Sequence, residues 1–541
     1  MKIAGDFFNA SRIRDDILLT MIEIRTGKRE WDEFPEKVKF FLDSSLTEIS
    51  YPKNGGRIVK GYRTPDCPWL WLRDNVHMME ASVYLLEDIK GLVDFFLDNQ
   101  NEDGSFHDFL NLEGELQRVP SEADLEYLAV IGAYRSWMAS CDDSWLRSRL
   151  PALEKGLHYM TSHPWRWDEK YQMPKRAYTI DTWDFDIREG LEKIHWPGKI
   201  DEKTHFGIMH GDVSGLYYAW QLMSRMFSHF GDESKAEYYR GLALDLQKRA
   251  NEILWNGNFY RHRLSLDGYH VNGVDEDRQL SLSNAYDMNR GLPTSEMSRS
   301  IIEEYMRRKK EGRAFAEWYS IDPPFPPGVF GEEKLKPGVY VNGGIMPLVG
   351  GELANAAFKF GFPEYGVDIL RRYFDMIDST GEAYLWYFPD GRHPTKEDSP
   401  SPEAYPTDGW GGSAMACALI EGLAGVRAEE PGFESVRLSP MWQHAGVENA
   451  KVYLEYPSSG NFFRYVLSRD SGKKSIEFEI ESSSLSSLRI DFPSAIESAE
   501  CESGGNRVGV EIKRCELGTS CIVRGDLKGI LRFRAKEPSA R

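Results

Sequence analysis

The chain has 541 residues, room for one large domain with an appendage or about three of ordinary size. Lys and Arg number 66 against 85 Asp and Glu, a net charge of −19 that repels phosphate backbones and anionic headgroups, so nucleic acid and membrane surfaces are poor partners. Its 15 Trp and 26 Tyr supply more flat amphipathic rings than a core needs, a hint of carbohydrate. The six cysteines show neither a CxxC pair nor metal-ligand spacing, which fits reduced thiols rather than a zinc site or a disulfide scaffold. No signal-peptide run opens the sequence and no stretch of 18 apolar residues interrupts it, so the chain reads as soluble and cytoplasmic.

Helical periodicity dominates to about residue 426. The pattern predicts helices near 73–86, 87–98, 121–139, 143–161, 212–230, 233–254, 283–291, 294–309, 345–360, 364–378 and 410–425, with a twelfth at about 12–27. Short joints (SCDDS, FGDES, GFPE) alternate with long ones rich in Pro, Gly, Trp and Asp. Short joints make antiparallel hairpins and long joints carry function. The expected fold is mainly α, an (α/α)6 toroid of six helical hairpins over about 61–430, with residues 1–60 packed on it. After Val426, segments such as KVYLEY, FFRYVLSR and KSIEFEIES alternate apolar and polar residues, which predicts a small antiparallel β-sandwich over 431–541.

The segment NQNEDGSFHDFL begins like a calcium loop, but Leu110 stands where a bidentate Glu is required. P-loop, zincin and serine-hydrolase motifs do not occur. Acidic and aromatic residues gather instead in the long joints. The first group is PWLWLRDN, where Arg73 beside Asp74 suits two adjacent sugar hydroxyls, although Asp74 also complements a helix dipole. The second is YTIDTWDFDIREG: Asp181, Asp184 and Asp186 crowd together among aromatic residues, which raises at least one carboxyl pKa and makes the best general-acid candidate, against the plainer reading of an Asx-rich turn. The third is GEAYLWYFPDGRH, with Glu382 as general base or merely an exposed loop acid; Glu403 and Asp408 are fallbacks, Asp408 doubling as a helix cap.

With these segments in that order, the chain resembles the six-hairpin glycosidases: glucoamylases, the glucosidase domain of glycogen debranching enzymes, trehalases and family 63 α-glucosidases. WLRD is similar to the segment that holds the terminal sugar, which carries over to Trp71, Arg73 and Asp74. DTWDFD resembles the acid-bearing loop and implies Asp184 or Asp186, while the E-x-Y in GEAYLWYFPDG implies Glu382 as base. YVNGGIMP and DGWGGSA resemble the openings of the last two inner helices. The resemblance implies an inverting, exo-acting hydrolase of α-linked glucosides or related oligosaccharides, without metal or cofactor. Its two carboxylates would act across the bond, Trp71, Trp183, Trp386 and Trp410 would form the sugar walls, and Arg73, Asp74 and Asn342 would fix its hydroxyls. A polysaccharide lyase on the same toroid and a non-catalytic carbohydrate-binding protein are the rival readings.

Overall fold

The computed structural model describes residues 22–538 apart from 54, 55, 184, 186, 188–198, 332, 516, 517, 526 and 528. Among these, twelve α-helices have eight or more residues: α1 Phe34–Ser45, α2 Leu72–Ser82, α3 Gly91–Asp98, α4 Leu125–Ser140, α5 Asp143–Ser162, α6 His210–His229, α7 Glu233–Ile253, α8 Ser283–Arg290, α9 Ser295–Glu311, α10 Pro347–Lys359, α11 Pro363–Thr380 and α12 Gly409–Cys417. The even-numbered helices touch one another in chain order, and α12 returns to α2, so six helices close a ring. The odd-numbered helices pack outside it.

Burial separates the two rings. Helix α4 buries every residue from Leu125 to Tyr134, whereas α7 buries only the stripe Ala236, Tyr239, Ala243, Leu246 and Ala250. A helix apolar on all sides belongs inside and one with a single apolar stripe belongs outside. Small residues let the inner helices approach closely: a Cβ on Gly351 of α10 would lie 2.4 Å from the backbone carbonyl carbon of Ala414 in α12. Because inner and outer helices alternate along the chain, each long joint delivers it to the N-terminal end of an inner helix.

The twelfth helix differs from the one expected at 12–27. Residues 12–21 lie outside the described residues, and Ile22–Arg25 is a strand, with Ile22 and Ile24 buried in alternation. The helix that completes the outer ring is α1, where Pro35 opens the first turn and Phe34, Val38, Phe41 and Leu42 face inward.

Beyond the ring lie two sheets. Strand Ile22–Arg25 pairs with Asn449–Tyr456 at the edge of a seven-stranded sheet, so the N-terminal segment reaches the C-terminal strands as well as the helices. A five-stranded sheet begins at Val426–Ala428 and holds one parallel pair, Ser435–Leu438 with Ser487–Phe492, in an otherwise antiparallel arrangement. Phe492 of this sheet meets Phe478 and Phe533 of the other at ring distances of 6.4 and 6.2 Å. No helix among the described residues is long and apolar enough to cross a membrane.

Candidate active site

A cavity of about 270 Å³ opens at the N-terminal ends of α2 and α12, between the joints that lead to α2, α6, α10 and α12. One wall is Thr64–Trp71, held by a small sheet in which Leu70–Trp71 pairs with Phe109–Leu110. Trp69 and Trp71 both stack on Phe109, at 4.7 and 4.5 Å, and the Trp71 indole donates to the Cys67 sulfur at 3.1 Å. Across the cavity Trp183 lies parallel to Trp410 at 5.8 Å. The Trp183 Nε1 donates to the Tyr340 hydroxyl at 2.9 Å, and that hydroxyl donates to Asp66 Oδ2 at 2.6 Å. Asp66 Oδ1 accepts from Thr64 at 2.6 Å. Tyr340 has a φ of 51°, a left-handed conformation unusual for an aromatic residue, and such strain gathers where a side chain must be aimed.

Beneath this surface runs a buried ion network. Arg73, on the first turn of α2, donates from Nε to Asp124 Oδ2 at 2.7 Å and from Nη2 to Glu122. Arg176 joins Glu122 at 3.2 Å and Asp212 at 3.3 Å. Burial opposes the Asp124 charge, but Arg73 outweighs it and holds this carboxyl below its ordinary range. Asp74 is placed differently. It lines the cavity, and burial with the nearby charge of Asp66 pushes its carboxyl well above the ordinary range against the opposing pull of Arg73. A carboxyl shifted in this direction favours its protonated form, which donates a hydrogen bond as well as accepting one.

The arrangement is a small aromatic chamber with two carboxyl groups on its wall, Asp66 accepting from two hydroxyls and Asp74 with its carboxyl pushed up by burial. No family model and no curated protein matches the sequence. Solved structures do. The α-L-rhamnosidase from Dictyoglumus thermophilum superposes with a TM-score of 0.59 at 13% identity over 96% of this chain and 51% of that one. The GH78 family rhamnosidase of Bacillus sp. GL1 gives 0.60 at 15% identity over 88% and 43%. The GH63 mannosylglycerate hydrolase from Thermus thermophilus gives 0.50 at 12% identity over 72% and 99%. The chain has the fold of the six-hairpin glycosidases. It spans about half the length of the two rhamnosidase chains, 51% and 43%.

Within that fold the structure brings Trp71, Arg73, Asp74, Trp183 and Trp410 to one cavity. Arg73 takes part through the network below it. Other expected residues lie elsewhere. Asn342 is fully buried and spends its amide on the joint before α10, accepting from the Phe325 N–H at 2.7 Å and donating to the Phe325 and Leu335 carbonyls at 3.1 Å, so it does not face a sugar. Trp386 is buried behind Tyr340, at 6.3 Å between rings, and does not line the cavity. Glu382 follows the end of α11 directly, accepts from the Tyr384 hydroxyl at 3.0 Å and stands away from the cavity. Asp181 caps α8 through the Ser283 N–H at 3.1 Å and is a structural acid. Asp408 caps α12 through the Trp410 and Gly411 N–H groups at 3.0 Å, and burial raises its carboxyl to about 7. Asp184 and Asp186 lie outside the described residues, while Trp183 and Phe185 both line the cavity.

Asp66 and Tyr340 are site residues that sequence reasoning misses. Asp66 sits in Arg-Thr-Pro-Asp-Cys-Pro, a run that reads as an ordinary turn, and its position only a few residues before WLRD is the one available signal. Tyr340 stands two residues before Asn342, in a segment where the asparagine draws attention instead.

Proposed function

We propose that the protein is a glycoside hydrolase that takes the terminal sugar of an α-linked glucoside or related oligosaccharide into the cavity beside Asp66 and Asp74. The carrying observation is the chamber itself: aromatic walls, room for about one sugar ring, and two carboxyl groups on its lining, Asp66 accepting from two hydroxyls and Asp74 pushed up by burial. Trp183, Trp410 and Trp71 flank the ring, and Asp74, its carboxyl pushed up by burial, hydrogen-bonds one of its hydroxyls. A chamber of this size favours exo cleavage, with the rest of the chain leaving toward solvent.

Hydrolysis needs an acid on the leaving oxygen and a base on water across the bond. We assign the acid to Asp184 or Asp186, in the joint whose neighbours Trp183 and Phe185 line the cavity. The base falls to Asp66 rather than Glu382, since the Asp66 carboxylate already accepts from Thr64 and Tyr340 and has room to accept from a water. The acid proton passes to the glycosidic oxygen as the C–O bond breaks, water adds to the anomeric carbon, and Asp66 takes the water proton. Attack from the face opposite the leaving group inverts the anomeric configuration.

The test is a panel of α- and β-glucosides, rhamnosides, mannosylglycerate and uronic oligosaccharides with products followed by NMR. Release of one monosaccharide of inverted configuration is expected. Binding without release would make the protein a carbohydrate-binding one, and an unsaturated product would make it a lyase.

A further inference from the structure

A second cavity, about 470 Å³, opens at the opposite ends of the same inner helices. Its lining reverses the character of the first. Six Arg and Lys side chains face it against four Glu, an excess of cations in a chain whose net charge is −19. The carboxylates are largely committed: Glu80 pairs with Arg135 at 2.6 Å, Glu421 lies 3.6 Å from Arg427, and Glu352 accepts from Asn289 at 2.5 Å. Several cations are not. Lys359, at the end of α10, has no carboxylate within ion-pair distance among the described residues and makes only long bonds to the Met288 and Asn289 carbonyls, at 3.3 and 3.5 Å. Arg290 donates to the Gly211 carbonyl and Ser214 at 3.0 Å and likewise has no carboxylate partner among the described residues. Arg225 stands on the open side.

Two further observations point to a ligand rather than to a packing defect. His77 is 8% exposed, lines this cavity and has a ring nitrogen, Nδ1, with no hydrogen-bond partner. A buried polar atom left unpaired costs free energy that a bound group would recover. There is also a way in: a neighbouring cavity of about 360 Å³, lined by Gly361, Pro363, Glu364 and His444, shares Lys359, Glu421, Arg427 and Arg437 with the first. Six tyrosines complete the lining, a set of ring faces and hydroxyls suited to a hydroxylated ring.

We infer that this lower cavity is a second binding site, for a small hydroxylated organic anion such as a sugar phosphate or a uronic acid, with Lys359, Arg290 and Arg225 on the anion. It is separate from the proposed active site by one layer, in which His77 stacks on Trp410 at 4.7 Å and the Trp410 indole donates to Tyr286 at 3.0 Å. His77 and Tyr286 face the lower cavity and Trp410 the upper.

Calorimetric titration of the full chain with glucose 6-phosphate, glucuronate and glucose tests it. One of the two anions should bind at least tenfold more tightly than glucose, and which one does so separates phosphate from carboxylate. Lys359→Met should weaken that binding tenfold or more, and Asp66→Asn should leave it unchanged. Because Lys359 is deeply set, Arg225→Gln on the open side provides a second variant, expected to weaken binding severalfold at an unchanged melting temperature. Equal affinity for glucose, no binding of either anion, or loss in Asp66→Asn with retention in both lower-cavity variants would overturn the inference.

Discussion

The two mouths of the helical ring are built from the same six helices and differ in almost everything else. At the N-terminal mouth, long joints arrive before each inner helix and supply Asp66, Trp183 and Tyr340 from outside the helices, while the helices contribute only first-turn residues such as Asp74 and Trp410. At the C-terminal mouth the joints are short, and the lining comes mostly from the helices themselves, Glu80, Arg135, Asn289 and Lys359 among them, with Arg427, Arg437 and Tyr456 added from the strands that follow. Long joints can be reshaped without disturbing the ring, so one mouth is free to carry a chemistry. Residues on packed helix turns are tied to the core, and there a polar lining persists only with partners or a ligand.

The largest contrast is in turnover. Asp66→Asn removes the proposed base while keeping the hydrogen bonds from Thr64 and Tyr340 in part, and kcat on whichever glycoside the panel identifies should fall by about 10²–10⁴ with little change in binding. Lys359→Met at the other mouth should change kcat by less than about threefold, since the proposed base, Asp66, lines the upper cavity on the far side of the layer of His77 and Trp410. Equal losses in the two variants would erase the distinction between the mouths.

Next in size is the ion network under the upper mouth. Arg73→Met leaves Glu122 and Asp124 buried beside Arg176 with too little positive charge, and breaking such a pair costs about 3–5 kcal/mol. Denaturant unfolding should register that loss directly. A loss under about 1 kcal/mol would mean that Arg73 acts in the cavity rather than below it.

Much of this upper mouth is legible in the sequence because helix openings anchor it. Trp71, Arg73, Asp74 and Trp410 lie within one turn of a helix start, so the register of the helix carries them to the ring's end. Glu382 fails the same argument at the other terminus: Gly381 ends α11 with a φ of 72°, and the joint does not reach the cavity until Leu385. Asn342 shows a second limit. Its amide is consumed by the backbone of Phe325 and Leu335, a pairing between distant positions that no local spacing announces. The lower mouth is invisible for a related reason: its lining is gathered from six inner helices and from the strands that follow them, and each residue alone reads as an ordinary helix or strand position.

Asp408 gives a pH-dependent effect tied to the upper mouth. Its folded carboxyl titrates near 7 against an ordinary 3.8, so the folded state holds the proton more tightly. That stabilisation is fully present below about pH 4 and is lost as pH rises through 7, a loss of up to about 4 kcal/mol. Asp408→Asn keeps an oxygen for the Trp410 and Gly411 N–H groups and cannot ionise, so its stability should exceed that of the parent at pH 8 and match it near pH 4. A parallel offset at both pH values would mean that the cap geometry, not the charge, decides.

The smallest expected effect concerns Glu382, and it is the sharpest on the base assignment. Its carboxylate accepts from Tyr384, beside an α11 terminus where its own N–H donates to Thr380 at 3.1 Å, and Gln at this position still offers a carbonyl oxygen to the same hydroxyl. Glu382→Gln should therefore keep kcat/KM within about twofold and lose no more than about 0.5 kcal/mol of stability. With the Tyr384 bond kept, the joint toward Leu385 stays in place, so a thousandfold drop could not be ascribed to a displaced wall. It would return the base to Glu382 and require the joint after α11 to swing inward when substrate binds.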